Sequence, residues 1–152
     1  MNDLIMVVDD EPNFRNLIRH HLERHNYRVI EAATGKEAIE SLNIASNDGA
    51  LPALIIMDVV MPEQDGVDAC RTIRKDKRFS SIPIIMLTAK KELGDKLTGL
   101  VSGANRYMVK PMDINKLLEL IQIQINQTGL SKKTIYDEID DFASSKGDAS
   151  HE

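Results

Sequence analysis

The stretch Ile55-Ile56-Met57-Asp58-Val59-Val60-Met61-Pro62 decides how this chain is read. An apolar, Ile-rich run ends in one carboxylate and passes at once into a proline-marked loop. That is the pattern of an inner strand of a parallel sheet whose exit loop carries a site. Taken alone, Asp58 reads equally well as the first residue of a turn. The flanking segments repeat the pattern and so bear on the choice.

Upstream, Leu4-Ile5-Met6-Val7-Val8 is a second apolar, β-branched run, and it leads straight into Asp9-Asp10-Glu11-Pro12. Pro12 suits the first turn of a helix, and Phe14, Leu17, Ile18 and Leu22 follow at helical spacing, so the pattern predicts an amphipathic helix to about Asn26. Arg28 to Ala32 forms a short strand, and Thr34-Gly35 opens a helix with Ala38, Ile39 and Leu42 on one face, closed by Asn47-Asp48-Gly49 and Pro52. Downstream of the strand Ala53 to Asp58, a loop from Val59 to Gly66 precedes a helix from about Val67 to Lys77, with Ala69, Cys70 and Ile73 inward. Ile82 to Thr88 is a fourth strand, with Pro83 tolerable at its beginning. Leu93, Leu97, Leu100 and Val101 mark a fourth helix that Gly103 stops. Arg106 to Val109 is a fifth strand ending in Lys110-Pro111, and a fifth helix from about Ile114 to Gln127 aligns Leu117, Leu118, Ile121 and Ile125. Alternating strands and helices, with nearly continuous apolar strands, predict an α/β fold: an open, doubly wound parallel sheet covered by helices on both faces. Residues 1–127 form the expected domain. Residues 128–152 turn to Ser, Lys, Asp and Gly, a short polar extension in which Ile135, Ile139 and Phe142 share helical spacing and whose end is expected to be disordered.

Composition narrows the function. At 152 residues with net charge -5 and scattered Lys and Arg, the chain has no basic stripe for neutralising nucleic-acid phosphates, so direct DNA or RNA binding is disfavoured. The single Cys70 excludes an internal disulfide framework, and no leader, long apolar run or lipidation motif is seen, which points to a reducing, cytoplasmic setting without membrane insertion. His21 and His25 have i, i+4 spacing but no third ligand nearby, and read as solvated helix residues.

In a doubly wound sheet, ligands bind outside the carboxyl ends of the strands where the strand order reverses. Here that rim would collect Asp9 and Asp10 after the first strand, Asp58 after the third, Thr88 after the fourth and Lys110 after the fifth, with only the second strand's exit lacking a matching group. Two carboxylates about 4 Å apart at an effective dielectric near 20 repel by roughly 4 kcal/mol, so such a triad keeps a proton or recruits a divalent cation. Oxygen-only ligands favour Mg2+. In that setting Asp58 is a carboxylate nucleophile that forms an aspartyl phosphate, with Lys110 and the Thr88 hydroxyl as further positive and donor groups. Each residue has a plainer alternative: Asp10 an N-cap, Lys110 a surface lysine at a turn, Thr88 a hydrogen-bonded strand end. Their shared position at strand exits is the specific signal.

These motifs resemble the receiver domains of two-component response regulators, of the single-domain type seen in chemotaxis regulators. The resemblance covers about residues 3–127 and rests on Val8-Asp9-Asp10-Glu11, on Met57-Asp58-Val59-Val60-Met61-Pro62 with Gly66, on Leu87-Thr88-Ala89, and on Tyr107-Met108-Val109-Lys110-Pro111. It implies a flavodoxin-like sheet of order 2-1-3-4-5 and Asp58 as phosphoacceptor. Asp10, Asp58 and the Val60 backbone carbonyl would bind Mg2+ directly, with Asp9 assisting mostly through water. Lys110 would pair with the phosphoryl group, and the bond to Pro111 would be cis. The resemblance further implies a switch in which Thr88 moves inward and Tyr107 follows, repacking the face of the fourth helix, fifth strand and fifth helix for a downstream protein. By residue type alone, Tyr107 is as readily a plain core aromatic. The donor would be a sensor histidine kinase or a histidine phosphotransfer protein, and the chain a monomer or a weak phosphorylation-dependent dimer. The interval from Asp10 to Asp58 looks long for the family, an excess assigned to the loop around residues 45–49, and Val60 and Lys90 occupy positions that help set phosphoryl lifetime.

The expectation is therefore a phosphorylation-controlled binding module, not an enzyme beyond self-phosphorylation and slow self-dephosphorylation. A phosphohydrolase of similar topology would want a second acid two residues after Asp58, where Val60 stands; a phosphorelay shuttle is the other alternative. A nucleotide-binding domain would need a glycine-rich phosphate loop after the first strand, which is missing.

Overall fold

Apolar runs that are hydrophobic on both sides need cover on both sides, and the chain supplies it with helices. The structure is a computed structural model that describes residues 3–59, 61, 66–89 and 103–127. The strands are β1 (Leu4–Val8), β2 (Arg28–Ala32), β3 (Leu54–Asp58), β4 (Ile84–Ala89) and β5 (Arg106–Lys110); the helices are α1 (Pro12–Arg24), α2 (Gly35–Asn47), α3 (Gly66–Lys75) and α4 (Ile114–Asn126). The strands form one parallel sheet in the order β2-β1-β3-β4-β5. This is the flavodoxin-like doubly wound arrangement. The strand order reverses at β1 and β3, so the crevice at their carboxyl ends is where a ligand site belongs.

Alternation along each strand sorts side chains between two cores. Met6, Val8, Ile55, Met57, Ile84, Met86 and Tyr107 face α2 and α3, where Ala38, Leu42, Cys70 and Ile73 meet them. Ile5, Val7, Leu54, Ile56, Ile85 and Leu87 face α1 and α4, against Ile18, Leu22, Leu117 and Ile121. Each such fully buried aliphatic side chain contributes about 1.5–3 kcal/mol of transfer free energy. β3 is buried along its whole length, whereas the edge strand β2 carries the half-exposed or exposed Arg28, Ile30 and Glu31. That polar edge discourages pairing with a further strand.

Local signals set the helix ends. Pro12 occupies the first turn of α1, and Asn26, at φ 69°, takes the left-handed conformation that ends it. Thr34 Oγ1 accepts from the Glu37 amide at 3.1 Å while Glu37 Oε1 accepts from the Ala33 amide at 3.1 Å, a reciprocal cap for α2. Asp113 Oδ1 accepts from the Asn115 amide at 2.8 Å and caps α4.

Among the boundaries that differ from the sequence expectation, two have a local cause in the hydrogen bonding. β4 begins at Ile84 and not at Ile82, because the Ile82 amide closes a turn onto the Phe79 carbonyl at 3.1 Å and Pro83 has no amide to donate. α3 stops at Lys75 because Asp76 Oδ1 accepts from the Arg78 amide at 2.9 Å and turns the chain. The expected helix through Leu93, Leu97, Leu100 and Val101, the residues Val60 and Lys90, and the segment 128–152 lie outside the described residues.

Candidate functional site

Asp9 extends the β1 ladder by one residue, its amide donating to the Ala32 carbonyl at 3.1 Å, and its side chain is almost wholly enclosed, with 1% of the residue exposed. A charge there needs partners. Oδ1 accepts from the Glu11 amide at 2.8 Å and Oδ2 from Lys110 Nζ at 2.7 Å. Lys110, the last residue of β5, also lies 3.7 Å from Asp58 Oδ2. Asp58, the last residue of β3, is 8% exposed, and Asp10 is open to solvent. Carboxylate oxygens of Asp9, Asp10 and Asp58 all lie within 4.8 Å of one another.

Burial pushes the Asp58 carboxyl up from 3.8 to about 6; the Lys110 ammonium pulls against that, the Asp9 and Asp10 carboxylates push it further, and the Val59 amide opposes. The clustered acids thus raise the affinity of one of their number for a proton. The same crowding suits a divalent cation, since a hard ion replaces the proton and takes oxygen ligands. The donor set is all oxygen, and one member stays open to solvent for waters or an incoming anion. These residues fit Mg2+.

Thr88 is wholly buried, in β4 one residue beyond Leu87, which pairs with Asp58 across the sheet. Tyr107 is 8% exposed in β5 and aligns with Met86, so Thr88 and Tyr107 belong to the sheet face covered by α2 and α3. Asp58 and Lys110 belong by alternation to the other face. The peptide between Lys110 and Pro111 is cis.

Gly66 opens α3 directly against the site. Its amide donates to the Val59 carbonyl at 2.8 Å, and a Cβ at this position would run into the Asp58 carbonyl oxygen. Only glycine allows the helix to approach the Asp58 backbone so closely.

Sequence reasoning missed two participants from α1. The Phe14 ring lies under the Lys110 ammonium, 4.1 Å from centroid to Nζ, and holds it by cation–π attraction. Arg15 donates from Nη1 to the Asp9 carbonyl at 2.7 Å and from Nε to Glu31 Oε1 at 2.9 Å. The exit of β2, which looked empty, therefore contributes through Glu31. The readable signal was position: both residues fall in the first turn after Pro12, and a helix that starts at a strand exit presents its first turn to the rim.

Comparison with known proteins agrees with this geometry. The sequence profile of the response regulator receiver domain matches residues 5–122. The alkaline phosphatase synthesis transcriptional regulatory protein PhoP of Bacillus subtilis is 43% identical over 111 residues, which are 73% of this chain and 43% of that protein. The transcriptional regulatory protein ResD of the same organism is 46% identical over 107 residues, 70% of this chain and 41% of that protein. The chain thus spans less than half the length of either relative. Among solved structures, the receiver domain of the sensor histidine kinase PA1611 from Pseudomonas aeruginosa PAO1, with a magnesium ion in its active-site cleft, superposes with a TM-score of 0.72 at 32% identity, covering 83% of this chain and 99% of that one. The signal receiver domain of a histidine kinase from Syntrophus aciditrophicus gives 0.76 at 28% identity, covering 86% and 96%. Among the described residues no helix is long and apolar enough to cross a membrane. A profile match over most of the chain, with sheet order and sequence relatives in agreement, places this chain in the response regulator receiver domain family, as a receiver domain of two-component response regulators.

Proposed function

We propose that Asp58 accepts a phosphoryl group from a phosphohistidine, on a sensor histidine kinase or a histidine phosphotransfer protein, with Mg2+ held among Asp9, Asp10 and Asp58. The observation that carries this reading is the convergence of three carboxylates within 4.8 Å beside Lys110. Asp10 and Asp58 would ligate the ion together with the Val60 carbonyl, which lies outside the described residues. Asp9, whose oxygens already accept from Glu11 and Lys110, would act mainly through water. When bound, the ion supplies positive charge to the carboxylates and the phosphoryl oxygens.

The chain's own residues do the rest. An oxygen of the Asp58 carboxylate attacks phosphorus in line with the imidazole nitrogen. The new O–P bond forms as the P–N bond breaks, and the ring, protonated on its other nitrogen, keeps the electron pair and leaves as neutral imidazole. Lys110 turns from Asp58 toward a phosphoryl oxygen, and the Thr88 hydroxyl donates to another. Movement of Thr88 leaves room for Tyr107 on the same sheet face, so the new dianion biases the surface that a downstream protein reads. That surface is made by β5, by α4 (the fifth helix of the sequence reading) and by the expected fourth helix through Leu93 to Val101, which lies outside the described residues.

In this reading residues 1–127 are the receiver unit and 128–152 a polar extension. The protein works in the cytoplasm as a monomer or a weak phosphorylation-dependent dimer, and loses its phosphoryl group slowly to water. The net charge of -5 over the whole chain and its scattered Lys and Arg speak against direct contact with nucleic acid. The relatives PhoP and ResD are named as transcriptional regulators, and in a chain of that kind this domain would gate a DNA-binding segment elsewhere in the polypeptide. Incubation with Mg2+ and acetyl phosphate should label the wild type and leave Asp58→Asn unlabelled. Equal labelling of the variant would remove the assignment.

A further inference from the structure

We propose that Arg15 is a positioning residue of the acidic site: it holds the peptide joining Asp9 to Asp10 so that both carboxylates converge on Asp58. This inference rests on the Mg2+-assisted reading above. Asp9 and Asp10 are consecutive, and rotation of the single peptide between them would swing both side chains. The backbone is tied on both sides of the Asp9 α-carbon, once at the amide of the preceding peptide and once at the carbonyl of this one. The Asp9 amide donates to the Ala32 carbonyl at 3.1 Å, and the Asp9 carbonyl accepts from Arg15 Nη1 at 2.7 Å. Arg15 is itself fixed, because its Nε donates to Glu31 Oε1 at 2.9 Å while Arg19 engages Oε2 of the same carboxylate. β2 supplies no ligand but anchors the acid pair from both sides, directly through Ala32 and through Glu31 and Arg15.

Chemistry selects arginine for this bridge. Its planar fork donates in two directions from one rigid group, one to a carbonyl and one to a carboxylate, which a lysine ammonium on a flexible stem does not reproduce. The side chains of Arg15 and Glu31 are 17% and 20% exposed, so water competes weakly for their hydrogen bonds.

A positioning role and a purely electrostatic one differ in sign. A cation beside a divalent metal site repels the ion, so if Arg15 acted only through charge its removal would tighten Mg2+ binding. As a positioning group, its removal loosens the acid pair and weakens binding. The test is calorimetric Mg2+ titration of the folded protein, on the wild type, Arg15→Ala, Arg15→Lys, Glu31→Gln and the Arg15→Ala/Glu31→Gln pair. Outer-shell partners are worth about 10–100-fold in metal affinity, and one acting a step further out, through the backbone, belongs below that range. Arg15→Ala is therefore expected to raise the Mg2+ Kd about 3- to 10-fold, Arg15→Lys by a similar factor despite the retained charge, and Glu31→Gln by less. The pair should bind no more weakly than Arg15→Ala alone, since Glu31 acts through Arg15. If Arg15→Ala does not fold, Arg15→Lys and Glu31→Gln carry the same comparison. Saturable Mg2+ uptake by the wild type that Arg15→Ala or Arg15→Lys leaves unchanged or tightens would overturn the positioning role alone. Absence of uptake by the wild type would overturn the metal-assisted reading, and this one with it.

Discussion

A carboxyl group enclosed beside two other acids is costly to keep ionised, and Asp58 bears that cost in the metal-free protein. Its ionisation sits near 6 against 3.8 for a free side chain, a difference of about 3 kcal/mol at most. Because the folded-state value is the higher one, the group's contribution to stability is full below about pH 3.8 and is lost as pH rises to about 6. Asp58→Asn removes this loss. In the absence of divalent cations at pH 7, the variant should be more stable than the wild type by about 1–3 kcal/mol in urea titration, and the gain should disappear near pH 4. A variant equal to or less stable than the wild type at pH 7 would mean that burial beside Asp9 and Asp10 does not hold the Asp58 carboxyl above its free value. Lys110 carries the opposite charge into the same basin and rests on the Phe14 ring. Lys110→Ala should slow phosphoryl transfer from acetyl phosphate by about 10- to 1000-fold while leaving Asp58 as the site, measured by initial labelling rate. Of these residues, Asp9, Asp58, Thr88 and Lys110 were legible as candidates in the sequence because each follows an apolar run, and Asp10 because it adjoins Asp9 in the same acidic loop. Phe14 and Arg15 were not, because an aromatic and a cation at helical spacing also describe an ordinary amphipathic helix.

The elements around the site are held by a few local devices. Gly66 lets α3 begin against the Asp58 carbonyl, and Gly66→Ala forces a methyl group into that backbone oxygen. The expected cost is about 2–4 kcal/mol in urea titration, with slower phosphoryl transfer in the remaining folded protein, since Asp58 itself must shift. An unperturbed variant would contradict the close approach. Strand cores were readable because β1, β3 and β4 are covered on both faces and so are apolar without interruption. Boundaries were less so. The start of β4 depends on which amide the Asn105 side chain satisfies, and Asn105 Oδ1 accepts from the Ile84 amide at 2.9 Å, a partnership between residues 21 apart in sequence. The end of α3 depends on a side chain of Asp76 competing for a backbone amide, which a helix-period pattern does not register.

At the scale of the whole molecule, the doubly wound topology turns residues scattered along the chain into one basin, Lys110 meeting Asp9 across a separation of 101 residues. The strand order had to be taken from family resemblance, since periodicity specifies strands and helices but not their neighbours. Binding that is confined to the folded state stabilises by mass action, so Mg2+ at one hundred times its Kd should add about 2.7 kcal/mol to the unfolding free energy at pH 7. As pH falls through about 6 the proton competes with the ion for Asp58 and the increment should shrink, a trend read from Tm with and without Mg2+. A Tm that Mg2+ leaves unmoved at pH 7 would mean that the acids do not act as a metal site in the folded state. Where the phosphoryl group goes is read by chemical mapping. After reaction with acetyl phosphate and Mg2+, borohydride reduction converts a phosphorylated aspartate to homoserine, which peptide mass spectrometry locates. Homoserine is expected at position 58; homoserine at 9 or 10, or an acid-stable phosphoester on Thr88 with residue 58 unmodified, would contradict Asp58 as the phosphoacceptor.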